Sequence, residues 1–192
     1  MNLEEAQQLA NRIHADMTPF TVRAEIAGSV RRRKQNDIKD VEIVCIAKTQ
    51  PLTDMFGIQT GTVSLLESAF HALLKHWNAW TIKAGEKYKQ VLFPGGQKLD
   101  LFIVTPETWA YQFAIRTGPA DYSHWLVTPR RYGGALPSYL TVKDARLWKG
   151  ETPLPVFEEA EFFDNLDLYP MPAPWERKAP ENFKPYKKQG AS

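Results

Sequence analysis

The sequence predicts an α/β protein: a mixed β-sheet flanked by helices, followed by a smaller α+β C-terminal lobe. Three observations predict it. Strand-like and helix-like segments alternate over the first hundred residues, as they do when helices cover a sheet. A Pro94-Gly95-Gly96 turn between two apolar runs reads as a hairpin that closes that sheet. Pro106 then marks a change, after which two short helices precede two short strands and an acidic helix.

Leu3, Ala6, Leu9, Ala10 and Ile13 recur at helical spacing and predict a first helix over residues 3–16. TVRAEIA, residues 21–27, alternates and reads as a strand ended by a Gly28-Ser29 turn. DVEIVCIA, residues 40–47, reads as a buried strand. Residues 48–60 read as a loop, with Pro51 and Gly57 as breakers, and a helix is expected from Val63 to Trp80 with Leu65, Leu66, Phe70, Leu73 and Leu74 as its core stripe. YKQVLF (88–93) and KLDLFIV (98–104) form the hairpin. Helices are expected near 107–116, 120–127 and 156–166, and strands near 139–142 and 146–148. The resulting division is 1–105, 106–175 and a proline-rich, flexible basic tail at 176–192.

The 192 residues carry a net charge of +2, so placement of charge says more than its total. Arg31, Arg32, Arg33 and Lys34 are consecutive, and Lys83, Lys87, Lys89, Arg130 and Arg131 form smaller groups able to hold phosphates. A single cysteine, Cys45, excludes an internal disulfide and a four-cysteine zinc site, and its apolar neighbours predict a buried thiol. No stretch reaches the roughly 20 apolar residues of a membrane span, and the start lacks a secretory pattern. A reduced, cytoplasmic protein with no membrane partner is expected.

Candidate chemistry begins with Asp40 and Glu42. Two residues apart in a strand, they point to one face. Asp100 stands in a second apolar strand between Leu99 and Leu101. Carboxylates at buried strand positions cost several kcal/mol, on the order of a lost ion pair, unless their charge is compensated. Three converging acids are compensated by divalent cations, and hard oxygen ligands suit Mg2+ or Mn2+. Two ions roughly 4 Å apart serve an in-line phosphoryl displacement. Acids solvated at strand ends are the plainer alternative. Gly28-Ser29, directly after a strand and before the arginines, offers amides and a hydroxyl to phosphate oxygens, against the plainer alternative of a turn beside a solvated basic face.

The order Gly-Ser, arginine cluster, Asp-x-Glu, later Asp, as it stands in AGSVRRRKQNDIKDVEIVC, resembles the signature of the DNA polymerase beta-like nucleotidyltransferase superfamily. YKQVLFPGGQKLDLFIV resembles the hairpin that bears the third carboxylate in family X polymerases. IRTGPADYSHWL resembles that family's nucleotide-contacting motif, and FEEAEFFDNLDLYPMPAPWER its closing stretch. The likeness covers about residues 20–178 in the family's order.

It implies a nucleotidyltransferase palm with a small C-terminal lobe, and a template-directed, gap-filling DNA polymerase that transfers a nucleoside monophosphate from a dNTP to a primer 3′-hydroxyl. Asp40, Glu42 and Asp100 would be catalytic residues and ligands of two Mg2+ or Mn2+ ions, with Asp100 beside the 3′-hydroxyl. Gly28, Ser29, Arg32, Thr117 and Gly118 would bind the nucleotide. Lys87, Lys89, Arg130 and Arg131, with Lys184, Lys187 and Lys188 of the tail, would contact primer–template or gapped DNA. The chain would act as a monomer, in the host cytoplasm if it is phage-encoded; minimal forms of this size are found in viruses, including phages, and in bacteria that carry their genes. The alternative keeps the chemistry and changes the acceptor to an RNA end, a protein or a small molecule.

The sequence departs from the pattern in places. The segment from Ser29 to Asp40 is one residue longer, Glu42 replaces an aspartate, and Pro119 replaces a serine. Ile115 and Arg116 stand where two aromatics help exclude a ribose 2′-hydroxyl, which leaves sugar selectivity open. With the palm starting near residue 20, lyase activity and helix-hairpin-helix DNA grips are not expected, so DNA binding should be weak and salt-sensitive. His14, His71 and His76 read as surface or partly buried residues, His124 as a structural histidine and the tryptophans as packing residues, with His124 and Trp125 nearest the nucleotide motif.

Overall fold

The computed structural model describes residues 1–184, and the chain divides between Thr105 and Pro106 into two compact units.

The first unit opens with α1 (Leu3–Met17). Asn2 and Glu5 form a reciprocal capping box at its start, which satisfies backbone donors that the first turn would otherwise leave unpaired. Ala6, Ala10, Ile13 and Met17 make its buried stripe. The order continues β1 (Thr21–Ile26), α2 (Gly28–Arg31), β2 (Asp40–Ala47), β3 (Thr49–Thr53), β4 (Gln59–Ser64), α3 (Leu65–His76), β5 (Trp80–Ala84), β6 (Tyr88–Leu92) and β7 (Lys98–Ile103). Five strands form one sheet in the order β1-β2-β7-β6-β5. β2 and β7 run parallel and the other neighbours antiparallel, so the sheet is mixed.

Strand alternation sorts this sheet into two faces. Val41, Ile43, Cys45, Val91, Leu99 and Leu101 point one way and join the buried residues of α1 and α3 in a single apolar cluster. Each large side chain buried there contributes about 1.5–3 kcal/mol. The opposite face carries Asp40, Glu42, Gln90, Lys98 and Asp100, with Val44 and Phe102 buried further along it.

Three expectations for this unit are corrected. Residues 48–60 are not a loop: β3 and β4 form a separate hairpin, exposed along nearly its whole length. Pro51 is compatible with β3 because that strand pairs on one side only. Asp54 closes the tip, its side chain accepting from the amides of Phe56 and Ile58. The helix expected over 63–80 is shorter at both ends. Ser64 caps it by accepting from the Glu67 amide, and Asn78 at φ 51° ends the turn that leads into β5. Gly28-Ser29, expected as a turn, opens the single helical turn α2.

The second unit contains α4 (Pro106–Thr117), α5 (Ala120–Val127), β8 (Leu140–Lys143), β9 (Arg146–Lys149), β10 (Thr152–Pro153) and α6 (Glu159–Asn165). The three strands form an antiparallel sheet in the order β10-β9-β8. Its core includes Leu126, Leu136, Leu140, Leu147, Phe162 and Phe163. α6 starts at Glu159 rather than 156 because Glu161 accepts from the amides of Phe157 and Glu158, fixing a cap there.

The segment expected to be flexible from residue 176 is packed where it starts. The Arg177 side chain is 0% exposed and donates to Glu159 Oε1 at 2.8 Å, with its guanidinium 4.7 Å from the Phe163 ring centre. Phe183 meets the His124 ring edge-on at 5.8 Å. Lys187 and Lys188 lie outside the described residues.

Candidate active site

The acids are brought together by register. Asp40 and Glu42 share a face of β2, and Asp100 of β7 is the direct cross-strand partner of Glu42. Lys98 stands opposite Asp40. Across the other edge of β7, Gln90 of β6 pairs with Asp100. One row of the sheet therefore reads Gln90, Asp100, Glu42, and the next reads Leu92, Lys98, Asp40.

This crowding has an electrostatic consequence. Burial holds the Asp40 carboxyl above the usual carboxylate range, and the nearby Asp100 charge pushes it the same way. Lys98, the residue's own backbone amide and Lys39 pull in the opposite direction without cancelling the rise. Among the described residues no group of three or more His, Cys, Asp or Glu side chains is placed to hold a metal ion. The donor set nevertheless fits a hard divalent cation: every candidate ligand is a carboxylate oxygen, and the Asp100 charge adds to the cost of ionising Asp40, which a cation relieves.

Asp100 is held from β6. The Tyr88 hydroxyl donates to its Oδ1 at 2.7 Å and the Gln90 side-chain amide donates to the same oxygen at 2.8 Å. Neither residue was singled out from sequence. The signal was available in the Pro94-Gly95-Gly96 turn, since counting back from it pairs residue 90 with residue 100.

The Gly28-Ser29 turn abuts the acids. The Ala27 amide donates to the Glu42 carbonyl at 2.8 Å, which ties the start of α2 to β2. Gly28 adopts φ +60° and approaches the Glu42 side chain so closely that a Cβ would overlap its carboxylate. Arg32 follows one turn later and donates to the Ser29 hydroxyl at 3.0 Å. Gly28, Ser29, Arg32, Asp40, Glu42 and Asp100 thus belong to one unit and, through Glu42, to one locality.

The remaining residues expected at the site are placed less uniformly. Lys87 is exposed in the β5–β6 turn. Lys89 is not a surface lysine: its side chain is 3% exposed, its ammonium pairs with Glu67 at 2.8 Å, and it lies 4.9 Å from the Phe70 ring centre. It points to the helix-covered face because it alternates with Tyr88 and Gln90, and this removes it from the candidate DNA contacts.

Thr117 and Gly118 lie in the second unit. Thr117 is fully buried at the end of α4, and Gly118 packs so tightly that a Cβ would meet Tyr122 Cδ1 at 2.8 Å and Ser123 Oγ at 2.9 Å. Arg130 is half-exposed yet structurally engaged, donating to the carbonyls of Ala135 and Leu166 and to Asp167 Oδ2. Arg131 is exposed, with its guanidinium 4.9 Å from the Tyr132 ring centre.

Cys45 is fully buried, and burial pushes its thiol up to about 12, which leaves no thiolate for nucleophilic chemistry. Among the described residues no helix is long and apolar enough to cross a membrane. A scan against protein-family models and a search of the curated proteins each find no match.

Proposed function

We propose that the chain is a nucleotidyltransferase of the DNA polymerase beta-like superfamily, acting as a template-directed DNA polymerase of family X type. The observation that carries the reading is the common sheet face of Asp40, Glu42 and Asp100, with the Gly28 turn seated against Glu42. The order of motifs along the chain supports the same reading.

Asp40, Glu42 and Asp100 would hold two Mg2+ or Mn2+ ions, which supply charge neutralisation on the transferring phosphoryl group. The chain's own residues do the rest. Ser29, Arg32 and the amides at the start of α2 bind the triphosphate of a dNTP, where the Arg32 guanidinium adds charge-assisted bonds. Asp100 orients the primer 3′-hydroxyl and accepts its proton as that oxygen bonds to the α-phosphorus and pyrophosphate departs. Catalysis of this kind is mostly positioning and electrostatics, so a rigid sheet is a suitable platform for it.

A second reading, transfer to an RNA end, a protein or a small molecule, is favoured by one observation. Lys89 is buried and Arg130 is engaged by Asp167, which thins the set of free cations available to grip duplex DNA.

Primer extension on recessed and one-nucleotide-gapped DNA, with each dNTP and rNTP supplied singly beside an Asp100→Ala control, separates the two. Templated addition that the control lacks supports the polymerase. Absence of addition by the wild-type protein with either metal overturns it and turns the search to other acceptors.

A further inference from the structure

We propose that Tyr88 and Gln90 are positioning residues for Asp100: together they clamp its Oδ1, so that Oδ2 is the oxygen presented to a divalent cation and to the acceptor hydroxyl. The inference rests on the reading of the site given above.

A carboxylate on a sheet surface rotates readily about its last torsion, which has two broad equivalent wells. Its two oxygens are interchangeable until something distinguishes them. Here both donors fall on one oxygen, Tyr88 Oη at 2.7 Å and Gln90 Nε2 at 2.8 Å. Hydrogen bonds to an ionised acceptor are roughly twice as strong as neutral ones, so the pair selects one orientation.

The donors are themselves fixed. Gln90 is the register partner of Asp100, and Tyr88 stands two residues along on the same face, opposite Phe102. The Tyr88 ring stacks on Phe102 with centroids 5.1 Å apart and planes 26° apart, and the Lys83 ammonium lies 5.5 Å from its centre. Between them, Lys89 is anchored on the opposite face by Glu67 and Phe70. A slip of β6 by one residue would bury Gln90 and expose Lys89, so the anchor holds both donors on the acid face.

Groups that orient a metal's ligands commonly contribute about 10–100-fold to affinity or activity. The test compares wild type with Tyr88→Phe, Gln90→Met and the double variant. Tyr88→Phe removes one oxygen and keeps the stacked ring, so it preserves the hairpin. Mn2+ affinity is measured by calorimetry without nucleotide, kcat and KM for dNTP by primer extension, and Tm by thermal melting.

The expected result is a Mn2+ affinity and a kcat each lowered about tenfold in the double variant, with KM for dNTP within about twofold of wild type. Wild-type Mn2+ affinity and kcat in all three variants overturn the inference. So do losses that merely track the fall in Tm, because a structural role alone produces those. A wild-type protein that neither binds Mn2+ nor transfers a nucleotide overturns the reading of the site and this inference with it, whereas an active wild type with unaffected variants overturns this inference alone.

Discussion

Gly28 lies against the carboxylate of Glu42 on a left-handed backbone, φ +60°, where an added Cβ would stand 2.5 Å from Glu42 Cδ. The contact couples the candidate phosphate-binding turn to a candidate metal ligand. Gly28→Ala meets two costs, the left-handed conformation at roughly 1–2 kcal/mol and overpacking at roughly 1–3 kcal/mol. Denaturant unfolding should register a loss of about 2–5 kcal/mol. Truncating Glu42 to alanine in the same chain should recover part of it, a coupling of about 1 kcal/mol or more in a double-mutant cycle. Strict additivity would show that the two residues do not touch.

Asp40 binds its proton more tightly when folded than when unfolded, because burial and Asp100 disfavour its charge. Its cost to stability is therefore absent below the unfolded value of 3.8 and grows as pH rises through that value to the raised folded one. Asp40→Asn should abolish nucleotidyl transfer while making the metal-free protein more stable at neutral pH. The gain should shrink towards pH 3, as followed by urea unfolding across the range. Equal stability changes at both ends would remove the electrostatic explanation.

Divalent cations should act in the opposite sense on the wild type. A ligand that binds only the folded state at about 100 times its Kd stabilises by about 2.7 kcal/mol. Mg2+ or Mn2+ should raise Tm by several degrees, excess chelator should reverse the rise, and Asp40→Asn with Asp100→Asn should erase it. An equal rise in that double variant would place the cation elsewhere.

The two lysines of the β5–β6 hairpin should separate cleanly. Lys87→Ala should weaken DNA binding and lower the salt slope by about one, since an exposed lysine on a phosphate releases a counterion. Lys89→Met should leave both unchanged, because its ammonium is held by Glu67. Filter binding across a salt series distinguishes them, and a parallel loss in both variants would contradict the buried placement of Lys89.

In the second unit, Glu159 and Arg177 form an ion pair that is closed to water. Removing one partner strands the other charge, at about 3–5 kcal/mol. Arg177→Met should therefore destabilise more than the double change Glu159→Gln with Arg177→Met, and should open residues 169–177 to protease. Equal costs for the single and double variants would mean that the pair is not buried as described.

Much of this was legible in sequence. The β2 limits Asp40–Ala47 follow from an apolar run between polar ends, and the shared face of Asp40 and Glu42 needs only the strand period. β3 and β4 were not legible, because a hairpin exposed on both faces shows no alternation to read. The burial of Lys89 depends on Glu67 and Phe70 of α3, contacts between residues far apart in the chain that no local pattern announces. Tyr88 and Gln90 gained their roles from the β6–β7 register, a pairwise property rather than a property of either strand alone.

The parallel pairing of β2 with β7 also orders events in time. Asp40 and Glu42 are synthesised early, yet the strand that supplies the third acid arrives only after the hairpin, α3, β5 and β6 have been made. A nascent chain that stops short of Lys98 has two acids on β2 with only β1 paired beside them. The pairing that completes the sheet is the same one that completes the acid set. No nascent chain that ends before β7 carries all three acids, so the activity proposed above would wait on that strand.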